Sequence, residues 1–226
     1  MHPPDRELQP NRVILFAKAP DPGRVKTRLI PALSPDSAAA LHRAFVQDCL
    51  ESLARFTPEL HTDRKGWIGF PRVRLQSEGD LGTRMHHAAS TALEEGAATV
   101  CILGTDAPTL PAGHVEHLLR SPADVTLGPA EDGGYWGICF RRAHPEMFAG
   151  VEWSSEHTLA QTVDAIHAVG LTTALGPQWW DVDEPRDLER LLSLAELPPH
   201  TARWKESTTA LRRANSIAAP EPPSSR

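Results

Sequence analysis

The chain has 226 residues, of which 40% are hydrophobic and 23% are charged, and its formal net charge is −6. These values are typical of a globular protein with a sizeable core. The acidic balance argues against non-specific binding to nucleic acid or to an anionic membrane surface. No stretch approaches the about 18 apolar residues of a membrane span, and the first eleven residues lack the apolar run of a signal peptide. We therefore expect a cytoplasmic protein.

Three cysteines, Cys49, Cys101 and Cys139, each lie inside an apolar stretch, and no CxxC pair is present. An odd number of thiols without a regular spacing favours small buried side chains over a disulfide framework. This usage also fits a reducing compartment.

Apolar periodicity predicts strands that alternate with helices. The predicted strands cover residues 13–17, 66–70, 99–103, 124–127, 135–140 and 171–175. The predicted helices cover residues 35–56, 81–95, 111–120 and 159–169, and a last one begins near residue 185. Ser34 and Asp80 are candidate N-caps. The alternation indicates one α/β domain over residues 12–205, with helices on both faces of a mostly parallel sheet. Residues 1–11 and 206–226 are expected to be flexible tails.

The most basic segment follows the first strand. Lys18, Arg24, Lys26 and Arg28 surround Gly23 there. Ligands of such sheets bind at the carboxyl ends of the strands, where ammonium and guanidinium groups could hold phosphate oxygens. The alternative is a solvated basic loop. Neither GxxxxGK[ST] nor GxGxxG is present, so a Walker A loop and a Rossmann dinucleotide site are not expected.

Two acidic segments also follow strands. Asp106 comes directly after strand 99–103, where a carboxylate could hold a divalent cation beside a diphosphate. Asp181 and Asp183 lie two positions apart, so they face the same side of an extended segment. Either Asp106 or Asp183 could instead cap the helix that follows it.

Two glycine-rich segments complete the candidates. The turn at residues 128–135 could line a substrate pocket with Gly133, Gly134 and Tyr135, although Asp-Gly is also a strong turn signal by itself. The segment from Gly79 to Arg84 could contact a base or a phosphate, or it could simply start a helix.

Six motifs occur in a fixed order: AKAPDPGRVKTRL, GDLGTRM, GTDAP, GPAEDGGYW, EWSSEHT and DVDEPRDL. In this combination the sequence closely resembles the DUF2064 family, also called the radical-SAM/selenodomain-associated transferase 1 family. The resemblance extends from about Arg12 to Leu192. It implies a GT-A fold, that is, the Rossmann-like three-layer α/β/α fold of nucleotide-diphospho-sugar transferases with a mostly parallel mixed sheet.

The resemblance also implies a nucleotide or nucleotide-sugar donor, a small-molecule acceptor, and Mg²⁺ or Mn²⁺ bound by Asp106 and Asp183. The residues expected to contact the nucleotide or its phosphates are Lys18, Pro20, Gly23, Lys26, Thr27, Arg28, Gly79, Asp80, Gly82 and Arg84. Lys26, Asp106 and Asp132 are expected to be catalytic, Asp132 as a general base if the acceptor lies over the glycine turn.

Two transferase chemistries fit these parts. Glycosyl transfer from an NDP-sugar is preferred, and nucleotidyl transfer from a nucleoside triphosphate with release of pyrophosphate, similar to cofactor guanylyltransferases, is the alternative. Both stabilise negative charge on phosphate oxygens. A non-catalytic nucleotide-binding module is a third hypothesis. The sequence leaves the base, the acceptor and the oligomeric state open.

Overall fold

The computed structural model of the chain describes residues 11–30 and 32–217. Seven strands are present in this part: β1 Arg12–Ala17, β2 Glu59–Thr62, β3 Val73–Leu75, β4 Val100–Leu103, β5 Val125–Pro129, β6 Tyr135–Phe140 and β7 Thr173–Leu175. Six α-helices accompany them: α1 Pro35–Ser52, α2 Leu81–Glu94, α3 Ala112–Arg120, α4 Thr158–Ala168, α5 Pro185–Leu192 and α6 Pro199–Ile217. None of the helices in these two ranges is long and apolar enough to cross a membrane.

The strands form one sheet in the order β3-β2-β1-β4-β6-β5-β7. Among the described strands β6 alone is reversed, because it pairs antiparallel with β4 and with β5 while every other pairing is parallel. The predicted mostly parallel mixed sheet is therefore confirmed. The reversal has one consequence for the site: β6 begins, rather than ends, at the edge where the other strands end.

Apolar side chains cover both faces of the sheet, which explains the unbroken apolar run of the first strand. Val13 and Leu15 of β1 pack with α1 and α3 on one face, whereas Ile14 packs with α2 and α4 on the other. A further cluster joins α1 to the carboxyl-terminal helices α5 and α6. The result is the expected three-layer arrangement.

Two helix starts follow the local sequence closely. The Ser34 hydroxyl oxygen accepts a hydrogen bond from the Ser37 backbone N–H, and the Asp80 carboxylate accepts one from the Thr83 N–H, so both predicted N-caps are confirmed.

The strand predicted at residues 66–70 is wrong. This segment is a loop that is attached to the core by Trp67, whose indole N–H donates to the Thr62 hydroxyl at 3.1 Å. The apolar residues of this loop attach it to the core and do not pair with a neighbouring strand. The true β2 and β3 were missed because each is short and carries charged or polar residues, such as Glu59 and Arg74.

Two further expectations are corrected by the structure. Cys101 and Cys139 lie directly opposite each other in β4 and β6 and form a disulfide, so only Cys49 is a free buried thiol. Spacing along the chain could not reveal this pair, because it depends on the register of two strands. Residues 206–217, expected to belong to a tail, continue helix α6. The rest of that expected tail, and residues 1–10 of the other, lie outside the described residues.

Candidate active site at the carboxyl edge of the sheet

A cleft of about 750 Å³ opens where β1 and β4 end. The chain leaves β1 toward β2 on one side and returns to β4 on the other. This is the point of an α/β sheet where the loops diverge and ligands bind. Because β6 is reversed, its first residue Tyr135 reaches the same edge.

The cleft brings together sequence segments that are far apart in the chain. Ten residues with predicted roles line it: Lys18, Lys26, Thr27, Arg28, Arg84, Asp106, Asp132, Gly134, Tyr135 and Asp183. The other predicted residues lie outside its lining: Pro20, Gly23, Gly79, Asp80, Gly82 and Gly133.

Three exposed cations line the cleft. Lys18, Arg24 and Arg28 are solvent-exposed and line the opening. Arg28 reaches a carboxylate only at 3.9 Å, in Asp183. Within residues 11–30 and 32–217 no ion pair joins Lys18 or Arg24 to a carboxylate. These cations are therefore available to an anionic ligand.

Lys26 differs from its neighbours because its side chain is almost fully buried. Its ammonium lies 2.6 Å from Asp106 Oδ1 and 2.9 Å from Asp183 Oδ1, and it donates to the Val182 carbonyl oxygen at 2.6 Å. Burial alone would lower the pKa of Lys26, but the two carboxylates outweigh burial and raise it above its ordinary value. Lys26 is thus a charged group that lies between two carboxylates of the cleft.

Asp106 is the counterpart of this interaction. Burial alone would raise the pKa of Asp106, but the Lys26 ammonium outweighs it and holds the pKa below its usual range. The Asp106 carbonyl oxygen accepts a hydrogen bond from the Val182 N–H at 2.9 Å, which ties the late acidic segment to the loop after β4.

The possibility that these aspartates cap helices is contradicted. Helix α3 begins at Ala112 and has Pro111 at its N-cap, several residues beyond Asp106. Helix α5 has Glu184 at its N-cap, in a capping box with Asp187. The Asp106 and Asp183 side chains are therefore free of a capping role and face Lys26.

A second group of carboxylates adjoins this pair. Oxygens of Asp132, Asp181 and Asp183 all lie within 4.8 Å of one another. Burial, followed by repulsion from Asp132, Asp183 and Asp106, raises the pKa of Asp181 to about 7. Such mutual repulsion is relieved when a cation binds, so this arrangement is suited to a divalent ion.

Several lining residues had no predicted ligand role. They are His42, Gln76, Trp153, Ser154, Ser155 and Thr158, together with apolar residues of the strand ends and of α2. Trp153 to Thr158 belong to the EWSSEHT motif, so the order of motifs could have pointed to them. His42 gave no such signal, because it lies within the apolar face of α1.

His42 stabilises the backbone of the basic loop. Burial lowers the pKa of its imidazole, and Nε2 of the neutral ring donates to the Lys18 carbonyl oxygen at 2.9 Å. This contact fixes the backbone at the position where the Lys18 side chain enters the cleft.

The glycine turn has a packing role. Gly133 has φ +89°, and a methyl group added there would come within 2.2 Å of the Glu156 carbonyl oxygen. The Asp132 carboxylate accepts from the Gly134 N–H at 2.9 Å and holds the turn in shape. Gly133 thereby lets the segment that bears Ser154 and Ser155 approach the cleft.

The chain resembles known proteins over most of its length. It is 27% identical over 195 residues to a 2-phospho-L-lactate guanylyltransferase from Halorubrum lacusprofundi, covering 80% of this chain and 86% of that protein. A crystal structure from Desulfovibrio desulfuricans G20, provisionally assigned as a nucleotide-diphospho-sugar transferase, is 33% identical with a TM-score of 0.77. That match covers 91% of this chain and 98% of the other.

A more distant structure shares the fold alone. CMP:2-keto-3-deoxy-manno-octonic acid synthetase complexed with CTP aligns with a TM-score of 0.52 at 13% identity, over 80% of this chain and 96% of that one. The fold is thus that of nucleotide-diphospho-sugar transferases, as expected.

The family itself is established by sequence. The model of DUF2064, described as "Uncharacterized protein conserved in bacteria", matches residues 39–155, which is more than half of the chain. The cleft described above is therefore the candidate active site of a protein that belongs to the DUF2064 family.

Proposed function

We propose that this protein is a nucleotidyltransferase that depends on a divalent cation and uses a nucleoside triphosphate as donor. The observation that carries the proposal is the cleft itself, which is lined both by the exposed cations Lys18, Arg24 and Arg28 and by a group of converging carboxylates. The sequence alone favoured glycosyl transfer. The likeness to a guanylyltransferase over most of both chains favours nucleotidyl transfer instead.

The residues present fit a divalent cation. Asp106 and Asp183 already converge on one positive charge, the Lys26 ammonium, and Asp132 and Asp181 lie beside Asp183. Mg²⁺ prefers such oxygen ligands and uses one or two carboxylates together with phosphates. When bound there, the cation would neutralise charge on the phosphate oxygens.

The chain's own residues supply position and charge. Lys18, Arg24 and Arg28 would bind the triphosphate, whose higher charge suits several cations better than the diphosphate of a sugar nucleotide does. A nucleophilic oxygen of the acceptor forms a bond to the α-phosphorus, and the bond from that phosphorus to the pyrophosphate oxygen breaks. Holding both reactants in line is the main contribution of such a site.

The experiment is a product analysis. The protein is incubated with each nucleoside triphosphate, Mg²⁺ and a small-molecule extract as the source of acceptor, and phosphorus NMR follows pyrophosphate. The expected result is pyrophosphate release with one preferred base, which is lost in Asp106→Asn. Release of a nucleoside diphosphate from a nucleotide sugar, with no pyrophosphate from any triphosphate, would overturn the proposal.

Glycosyl transfer is the second candidate. It is favoured by the provisional assignment of the relative from Desulfovibrio desulfuricans G20 as a nucleotide-diphospho-sugar transferase. The same phosphorus spectra, recorded with nucleotide sugars, separate the two chemistries because their phosphorus-containing products differ.

A further inference from the structure

The Lys26 ammonium has no hydrogen-bond donor left for a ligand. A lysine ammonium has three N–H donors, and three oxygens surround this one, from Asp106, Asp183 and Val182. The side chain is only 4% exposed. While these contacts last, the phosphate-binding role expected for Lys26 must be carried by other cations.

The backbone at Lys26 is held in place. Its φ of 48° and ψ of 39° are left-handed, a conformation that costs a residue with a side chain about 1–2 kcal/mol. The short 3₁₀ turn Thr27–Leu29 follows, and Leu29 is fully buried against α1. The flexible four-carbon stem is therefore the part of Lys26 that can move.

The two carboxylates that hold the ammonium are the ones proposed above to hold the divalent cation. An ammonium and a metal ion cannot occupy the same space between Asp106 Oδ1 and Asp183 Oδ1. A free metal ion must displace Lys26 and leave its buried charge without a partner, which is costly. A metal ion that arrives with a phosphate chain brings new acceptors for the released ammonium.

We propose that Lys26 is an exchangeable counter-ion, so that the protein takes up its divalent cation as a metal–nucleotide complex and binds the free ion weakly. The inference rests on the proposed function, since it concerns the same site. Without ligand, Lys26 neutralises Asp106 and Asp183. With ligand, the ammonium turns to the phosphates and the carboxylates turn to the metal.

The test is a calorimetric titration of the nucleotide-free protein with Mn²⁺. Lys26→Met should bind Mn²⁺ at least about tenfold more tightly than the wild type, a difference of about 1.4 kcal/mol. Lys18→Met is the matched control, because it removes one positive charge from the same cleft and leaves the ammonium between the carboxylates. An unchanged Mn²⁺ affinity in Lys26→Met, or an equal gain in Lys18→Met, would overturn the inference.

A second measurement needs no variant at Lys26, in case Lys26→Met does not fold. Inorganic tripolyphosphate should tighten Mn²⁺ binding to the wild-type protein, after subtraction of the complex that the two form in solution. No tightening would also overturn the inference. Neither titration involves transfer. Tight Mn²⁺ binding by Lys26→Met in a protein that releases no pyrophosphate would therefore contradict the proposed function and leave the role of Lys26 standing.

Discussion

Replacement of Lys18 by methionine tests the phosphate-binding side of the cleft. Lys18 is exposed, lines the cleft and has no ion-pair partner in the described part of the chain. Its removal therefore breaks no ion pair of the described residues, and the loss reports mainly on the ligand. A hydrogen bond to a charged group contributes about 1.5–3 kcal/mol. The affinity for a Mg²⁺–nucleoside triphosphate should thus fall about 10- to 150-fold.

The assay is calorimetric titration at two salt concentrations. Lys65→Met is the matched control, because Lys65 is also exposed but lies outside the cleft lining. The Lys18→Met effect should shrink at high salt, since exposed charges are screened. An affinity that is unchanged in Lys18→Met, or that falls as far in Lys65→Met, would refute the assignment of the basic loop to phosphate.

Three further predictions concern catalysis and stability. Asp106→Asn should lower pyrophosphate release at least about 100-fold, and it should also lower the melting temperature because it removes one of the two carboxylates that neutralise the buried Lys26 ammonium. Asp48→Ala should lower the melting temperature by about 6–12 °C, because its buried carboxylate accepts three hydrogen bonds from His200 and Thr201 at the start of α6, together worth about 3 kcal/mol; an unchanged melting curve would contradict this. Burial alone would raise the pKa of Glu59, but the neighbouring His61, Arg12 and Arg74 side chains outweigh burial and lower it from 4.5 to about 2. A lowered pKa stabilises the fold above pH 4.5 and ceases to do so as the pH falls toward 2. Glu59→Gln should therefore cost about 3 kcal/mol of unfolding free energy at pH 7 and progressively less below pH 4.5, as measured by urea denaturation. A constant difference across that range would contradict the reasoning.

The parts of the fold that depend on local chemistry could be predicted. The caps at Ser34 and Asp80 and the buried strand β4 follow from a few neighbouring residues. Short strands at the edge of the sheet could not be predicted in this way, because β3 has three residues and gains its stability from pairing with β2. The disulfide between Cys101 and Cys139 likewise depends on strand register rather than on sequence spacing.

The candidate site, like the fold, could be predicted from the sequence only in part. Position at strand ends was enough to single out Lys18, Arg28 and Asp106, since the end of a buried parallel strand leads to the edge of the sheet. It could not show that Lys26 lies between two carboxylates, because that contact joins residues 157 positions apart. Position at strand ends also could not reveal the contribution of His42. That contribution depends on the face of α1 that meets the loop.

The hydrogen bond from Val182 to the Asp106 carbonyl oxygen also bears on how the protein matures. The site requires a segment from the last fifth of the chain to close against the loop after β4. A nascent chain that has emerged from the ribosome only as far as α4 still lacks Asp181 and Asp183. Competence to bind the proposed metal and nucleotide would therefore arise only after this segment has been synthesised.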